Sequence, residues 1–242
     1  MRAAVVSDIH ANLHALEAVL AEIADVGVDE VWCLGDVVGY GPRPNECCAL
    51  IRDRAAVALC GNHDLAAVGA LDVAEFSGDA AVAARWTSST LEEGHRDWLA
   101  GLEPAGERDG VELYHGSPRD PIWEYVLSED VALLCLLETE APLVLVGHSH
   151  VALAISWDGG TLAGGVSPAG SELDLSAARL LVNPGSVGQP RDGDARASWL
   201  LLDTDAGLGT FRRTPYEIAR TQAEIRKLRL PDVLAARLAH GI

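Results

Sequence analysis

Residues 1–20 read MRAAVVSDIHANLHALEAVL. An apolar run, Ala3-Ala4-Val5-Val6, stops at Ser7-Asp8-Ile9-His10. Leu13, Leu16, Val19, Leu20 and Ile23 then recur at helical spacing. A buried strand that runs straight into an amphipathic helix is the opening of a βαβ unit. Side chains alternate along a strand with a period of two, so Asp8 and His10 are expected to leave its end on the same side. Both residue types ligate metals. An isolated Asp-x-His reads equally as a helix cap beside an incidental surface histidine, and the rest of the chain has to decide between the two.

Moving outward, VWCLG (31–35) and AVALCG (56–61) read as two further strands. Pro44 opens a helix running to about Arg54, proline being tolerated in the first helical turn. This β-α-β-α-β rhythm predicts parallel strands joined by right-handed crossovers. Residues 65–102 are Ala-rich, with Trp86, Leu91, Trp98, Leu99 and Leu102 as packing positions. They predict two or three helices lying over one end of the sheet as a cap-like segment. VELYHG (111–116) and PLVLVGHSH (142–150) are strands, with a helix at about 128–138 between them. From 151 to 213, short strands such as ALAISW, RLLVNPGS and ASWLLLD alternate with Gly-rich turns, an antiparallel pattern. Two C-terminal helices, 215–228 and 231–239, are split by Pro231. No repeat, low-complexity tract or linker interrupts the chain, so one domain over 1–242 built on two sheets is expected.

The 242 residues carry 36 Asp and Glu against 18 Lys and Arg, a formal charge of −18. Proteins that grip nucleic acid without sequence preference present a basic face, so long nucleic acid is not an expected partner. The apolar start is broken at once by Asp8 and does not read as a signal peptide. No stretch approaches the length of a membrane span, so no membrane partner and a cytoplasmic location are expected. The five cysteines (33, 47, 48, 60 and 135) form no CxxC pair. Reduced, buried thiols are expected rather than a zinc ribbon or a disulfide framework.

Each strand of the alternating half ends in a potential ligand. The ends are Asp8-Ile9-His10, Gly35-Asp36, Gly61-Asn62-His63-Asp64, His115-Gly116 and Gly147-His148-Ser149-His150. Open α/β sheets place their sites at that edge. Five of the eight histidines sit there, and only His14, His95 and His240 do not. One such histidine would ordinarily be structural; five converging on one edge make a metal site. Asp8, His10, Asp36, Asn62, His115, His148 and His150 exceed the needs of one tetrahedral zinc. Two ions ~3.5–4 Å apart, bridged by one carboxylate, would use all seven. Mixed imidazole and oxygen donors suit Mn²⁺, Fe or Zn²⁺.

In order along the chain, D-x-H (8–10), G-D-x-x-x-x-G (35–41), G-N-H-D (61–64), H-G (115–116) and G-H-S-H (147–150) resemble the motif blocks of the calcineurin-like metallophosphoesterases. The resemblance spans about residues 1–150 and keeps every ligand position. NPGSVGQPR (183–191) looks like the small prokaryotic phosphodiesterase branch. The resemblance implies an α/β fold, a four-layer α/β/β/α sandwich of two mixed sheets flanked by helices. It implies two divalent ions, Mn²⁺ first, with Fe, Zn²⁺, Ni²⁺ or Mg²⁺ as alternatives. One ion would take Asp8, His10, Asp36 and His150, the other Asp36, Asn62, His115 and His148, with Asp36 bridging. His63 would face the substrate and Asp64 would orient it.

The implied activity is hydrolysis of a small phosphodiester or nucleotide by a bridging hydroxide, His63 donating to the leaving oxygen if protonated. A phosphomonoesterase, a protein Ser/Thr phosphatase-like enzyme and a diadenosine polyphosphate hydrolase are the alternatives. A non-catalytic scaffold of the same fold is the rival from another class, and the intact ligand set speaks against it. The expected partner is a small phosphoester, and a homo-oligomer is compatible with the chain.

Other residues carry weaker signals. Arg191 reads either as a surface charge or as a clamp on a substrate phosphate or carboxylate. Tyr40 reads as a pocket wall or as ordinary packing. Asn12 is expected to cap the first helix, and His14 to be structural. Core packing is the expected role of Trp86, Trp98, Trp123 and Tyr125, with an aromatic wall for a nucleobase as the alternative. The mixed charges of 214–229 predict a solvated helix face.

Overall fold

The computed structural model describes residues 1–76 and 78–242. The opening alternation folds as β1 (Arg2–Val6), α1 (Leu13–Val26), β2 (Glu30–Cys33), α2 (Pro44–Arg54) and β3 (Val57–Ala58). β1 pairs in parallel with β2, and β2 with β3. Helices α3 (Asn62–Val68), α4 (Gly78–Thr90) and α5 (Glu93–Ala100) follow. They fill the stretch read as helical over 65–102, of which Ser77 lies outside the described residues. Next come β4 (Ala105–Arg108), β5 (Val111–Tyr114), α6 (Glu129–Leu137) and β6 (Leu143–Leu145). The later strands are β7 (Ala152–Trp157), β8 (Leu162–Val166), β9 (Glu172–Asp174), β10 (Arg179–Pro184), β11 (Ala197–Asp203) and β12 (Leu208–Thr214). Helices α7 (Ile218–Lys227) and α8 (Asp232–Ala236) end the chain.

The strands form two six-stranded sheets, ordered β3-β2-β1-β11-β12-β9 and β4-β5-β6-β10-β7-β8. Both are mixed. β11 runs antiparallel beside β1, while β10 is parallel to β6 and antiparallel to β7. Alternation along β1 sets the layers. Ala3 and Val5 face the other sheet and pack with Trp32, Leu113, Leu145 and Val182. Ala4 and Val6 face outward onto Leu16, Val19 and Ile51 of α1 and α2. On the far side, Cys135 and Leu136 of α6 cover Val144 and Leu181. Four layers result, helix on sheet on sheet on helix. Burying each Val or Leu side chain contributes roughly 1.5–3 kcal/mol.

Two elements escape the sequence pattern. β4 (AGER) and β9 (ELD) are short, polar edge strands with no apolar alternation to mark them. The solvated face expected at 214–229 is present, with Arg220, Arg226 and Lys227 exposed, but it is one face only. Thr221 and Ile225 of α7 are buried, and Ile225 packs with Leu234 and Leu238 against Ala83 of α4. One of its charges is also held by other elements: Glu224 accepts from Arg43 Nε at 2.8 Å and lies 3.2 Å from His14 Nε2.

Candidate metal centre

The strands stop before their ligands. β1 ends at Val6, and Asp8 and His10 follow at φ 54° and 50°, in the left-handed region. Asp36, His148 and His150 do the same, at φ 52°, 64° and 60°. This corrects the expectation that strand alternation aligns Asp8 with His10. Backbone turns aim these side chains, at about 1–3 kcal/mol per left-handed non-glycine residue. Neighbouring loops hold the turns: Asp8 N donates to Gly35 O at 3.0 Å, and His10 N to Asp36 O at 2.9 Å.

Two clusters converge, Asp8-His10-Asp36-His150 and Asp36-His115-His148, each with one ligand atom per residue within 4.8 Å of the others. Asp36 belongs to both. Asn62, the first residue of α3, brings Oδ1 to 3.3 Å from His115 Nε2. All seven side chains are buried. His10 and His150 meet Nε2 to Nε2 at 2.9 Å. Their Nδ1 atoms face Val38 O (3.2 Å) and Gln189 O (2.7 Å), and His115 Nδ1 faces Leu34 O (2.9 Å). A ring N–H donated to a carbonyl leaves the Nε2 lone pair directed into the site, the tautomer a metal ligand needs.

The carboxylates repeat the device. Asp36 Oδ1 accepts from His63 N at 2.9 Å and Asp8 Oδ2 from His148 N at 3.1 Å. Their other oxygens, Asp36 Oδ2 and Asp8 Oδ1, are buried without a hydrogen-bond partner, as is His148 Nε2. Leaving a buried polar atom unsatisfied costs about 1–3 kcal/mol, more for a charged group. Three such atoms, spread over two clusters that share Asp36, fit divalent cations. Burial pushes Asp8 up to about 7 and raises Asp36, which also feels Asp64. Burial holds His10 and His150 far below the ordinary imidazole range and His148 down to about 2. A bound cation reverses the penalty on the carboxylates and matches the neutral imidazoles.

Gly61 makes the convergence sterically possible. A Cβ there would overlap Asp36 Oδ1 and stand 2.6 Å from His115 Cε1. Gly39 does the same for His63, whose Nδ1 lies 2.7 Å from where a Cβ would be.

The expectation that Asp64 orients His63 is corrected. Asp64 Oδ2 accepts from Val37 N (3.2 Å) and Gly61 N (3.0 Å), and Oδ1 from Val38 N (2.9 Å). At the third position of α3 its carboxylate turns back to the helix start and ties down the loop after Asp36. Among the described residues His63 Nδ1 has no hydrogen-bond partner. Burial, with Arg191 and His115 nearby, pushes His63 down to about 3, so its imidazole is neutral before any substrate arrives.

Tyr40 and Arg191 both reach the site. The Tyr40 ring lies 4.7 Å from His10 and 4.3 Å from His63, and its hydroxyl is 3.5 Å from Arg191 Nη2. The aromatic candidates divide. Trp86 and Trp98 pack into apolar clusters as expected. Tyr125, expected in the core, is exposed and stacks on His148 at 4.0 Å and 14°, with Trp123 6.5 Å from the same ring. Phe76, which nothing in the sequence singled out, lies 4.8 Å from His63 and 5.5 Å from Trp123. Its turn between helices carries no pattern; an apolar ring amid polar neighbours was the one signal. Asn12 caps α1, accepting from Ala15 N at 3.3 Å, as expected.

A model of the calcineurin-like phosphoesterase superfamily domain matches residues 1–207. An uncharacterized protein of Methanocaldococcus jannaschii is 37% identical over 243 residues, covering 98% of this chain and 97% of that one. The crystal structure of a metallophosphoesterase from Sphaerobacter thermophilus is 44% identical and superposes with a TM-score of 0.91 over 100% of both chains. A hypothetical protein from Pyrococcus horikoshii shares the fold, with a TM-score of 0.81 at 20% identity over 100% of this chain and 98% of that one.

Proposed function

The chain belongs to the calcineurin-like phosphoesterase superfamily, and on that premise we propose that it is a dinuclear metal-dependent phosphodiesterase acting on a small diester or nucleotide. The observation that carries this is Asp36. It belongs to both clusters, is held by one oxygen on a backbone amide, and has its other oxygen buried without a partner. Asp8, His10, Asp36 and His150 would hold one ion; Asp36, Asn62, His115 and His148 would hold the other. The donors include no thiolate and mix imidazole with oxygen, which suits Mn²⁺, Fe or Zn²⁺, with Mn²⁺ the first choice. When bound, such ions polarise phosphoryl oxygens and make water acidic enough to supply a nucleophile near neutral pH.

The protein's own residues do the rest. His63, neutral in the free site, hydrogen-bonds the phosphoryl or leaving oxygen and becomes a proton donor only with phosphate charge beside it. Tyr40 offers a hydroxyl to the phosphate at the ions, and Arg191 beside it offers a guanidinium to the substrate. Phe76, Trp123 and Tyr125 add ring surface beside His63 and His148, which suits an uncharged organic substituent. A diester carries that second substituent and a monoester does not.

A small substrate in the cytoplasm completes the proposal. All five cysteines are free and buried, and among the described residues no helix is long and apolar enough to cross a membrane. The charge of −18 disfavours long nucleic acid. The test compares kcat/KM of Mn²⁺-loaded protein on bis(4-nitrophenyl) phosphate and 4-nitrophenyl phosphate. The diester is expected to be the better substrate. A better monoester overturns the diester preference, and hydrolysis of neither overturns the phosphoesterase itself.

A further inference from the structure

Acidic residues outnumber basic ones two to one in this chain, 36 against 18. What sets two of its arginines apart is a guanidinium nitrogen that is buried and has no partner. Among the described residues, the arginines with a buried, unpartnered Nε are Arg191 and Arg237. They meet at one neutral atom. Arg191 Nη2 donates to Gln189 Oε1 at 2.9 Å and Arg237 Nη1 to the same oxygen at 3.2 Å. Neither makes an ion pair among the described residues. Asp192, next to Arg191 in the chain, is committed to Arg213. Burial and the charge of Arg191 disfavour the Arg237 cation, and Asp79 is the carboxylate that offsets this, from beyond ion-pair distance.

Two guanidinium groups converging on one amide oxygen repel each other, and an anion between them relieves that repulsion. The location is informative. Gln189 O accepts from His150 Nδ1 at 2.7 Å, and Arg191 N donates to His150 O at 3.1 Å. Arg191 also stands over the Tyr40 ring at 5.8 Å, and that ring contacts His10 and His63. The pair thus borders the metal centre, with Arg191 beside both Tyr40 and Tyr125. Arg237 comes from the C-terminal turn after α8, so the last helices of the chain complete the site.

We propose that Arg191 and Arg237 form a second anion subsite, beside the metal centre, for a phosphate group of the substrate other than the one that is cut. The substrate class is then a compound with two phosphates, one a diester at the ions and one held by the arginines. Phosphate oxygens accept from both guanidinium groups at once. The substrate assignment rests on the phosphoesterase reading; the subsite itself does not.

The test is calorimetric titration of inorganic phosphate into protein stripped of ions by a chelator that is then dialysed away, at low ionic strength. Saturable binding of one phosphate per chain is expected. Arg237→Gln should weaken it about tenfold or more, as loss of a charged hydrogen-bond donor implies. Arg237→Lys, which keeps the charge, should restore most of it. Arg220→Gln, on the exposed face of α7, should bind as wild type does. No saturable binding to the stripped wild type, or equal binding by Arg237→Gln, overturns the subsite. Hydrolysis of bis(4-nitrophenyl) phosphate by loaded protein is measured alongside. Hydrolysis without phosphate binding sinks the subsite and spares the phosphoesterase; phosphate binding without hydrolysis does the reverse.

Discussion

Replacing Gly61 with alanine should cost the protein its ions although no ligand changes. Gly61 precedes Asn62 at the start of α3, with φ −109°, so an alanine is not strained by its backbone. The obstacle is space. The new methyl would stand 2.6 Å from both Asp36 Cγ and His115 Cε1, about 0.8 Å inside the 3.4 Å of ordinary van der Waals contact. Asp36 and His115 must move apart or α3 must shift, and either breaks the 2.9 Å bond from His63 N that fixes the Asp36 carboxylate. Metal–ligand distances tolerate only about ±0.2 Å. Disturbing the groups that orient a ligand typically costs about 10–100-fold in affinity. Overpacking a buried site also costs about 1–3 kcal/mol, which for a chain of this size lowers Tm by roughly 2–12 °C. Calorimetric titration of Mn²⁺ and a thermal melt measure both. Gly94→Ala, in open space on α5, should change neither. Two ions bound by Gly61→Ala with wild-type affinity would refute the claim that Asp36 is positioned at van der Waals limits to serve both.

His63→Ala should keep both ions and slow turnover by ~10²–10⁴-fold on alkyl or nucleoside esters, but far less on nitrophenyl esters, whose leaving group needs no proton; loss of an ion would mean that His63 is itself a ligand. Asp64→Asn leaves one acceptor oxygen for three backbone amides, so Tm should fall by several degrees while leaving-group dependence stays as in wild type, and a His63-like kinetic defect would restore the orienting role. Burial raises Asp8 to about 7 and raises Asp36, so ions must displace protons below pH 7. Mn²⁺ affinity should therefore fall at least tenfold per pH unit from 7 downward. His10, His148 and His150, held neutral by burial, add no proton to that exchange. A pH-independent affinity between 5.5 and 8 would refute it.

The convergence of the candidate ligands was legible because chemistry and topology repeat each other. Parallel strands deliver their C-terminal ends to one edge, and an Asp, Asn or His at every such end is a pattern that a core does not need. How those side chains are aimed was not legible. Left-handed turns at Asp8 and His10 depend on bonds from a neighbouring loop, at Gly35 and Asp36, that no local spacing encodes. Asp64 misled because adjacency in sequence suggested His63 as its partner; three residues after the helix-opening Gly61, its carboxylate belongs to the backbone. Phe76, Gln189 and Arg237 come from a turn, a loop and the C-terminal segment, so only tertiary packing brings them to the site. The edge strands β4 and β9 were missed for the opposite reason: their polar residues face water and leave no periodicity.

Hydrolysis of bis(4-nitrophenyl) phosphate by ion-stripped protein, followed as Mn²⁺ is added in tight-binding conditions, tests the dinuclear assignment most directly. No hydrolysis is expected without ions, and the rate should rise to a break at two equivalents per chain, because both clusters that share Asp36 must be filled. A full rate at one equivalent, or no hydrolysis at any Mn²⁺ level, would contradict it.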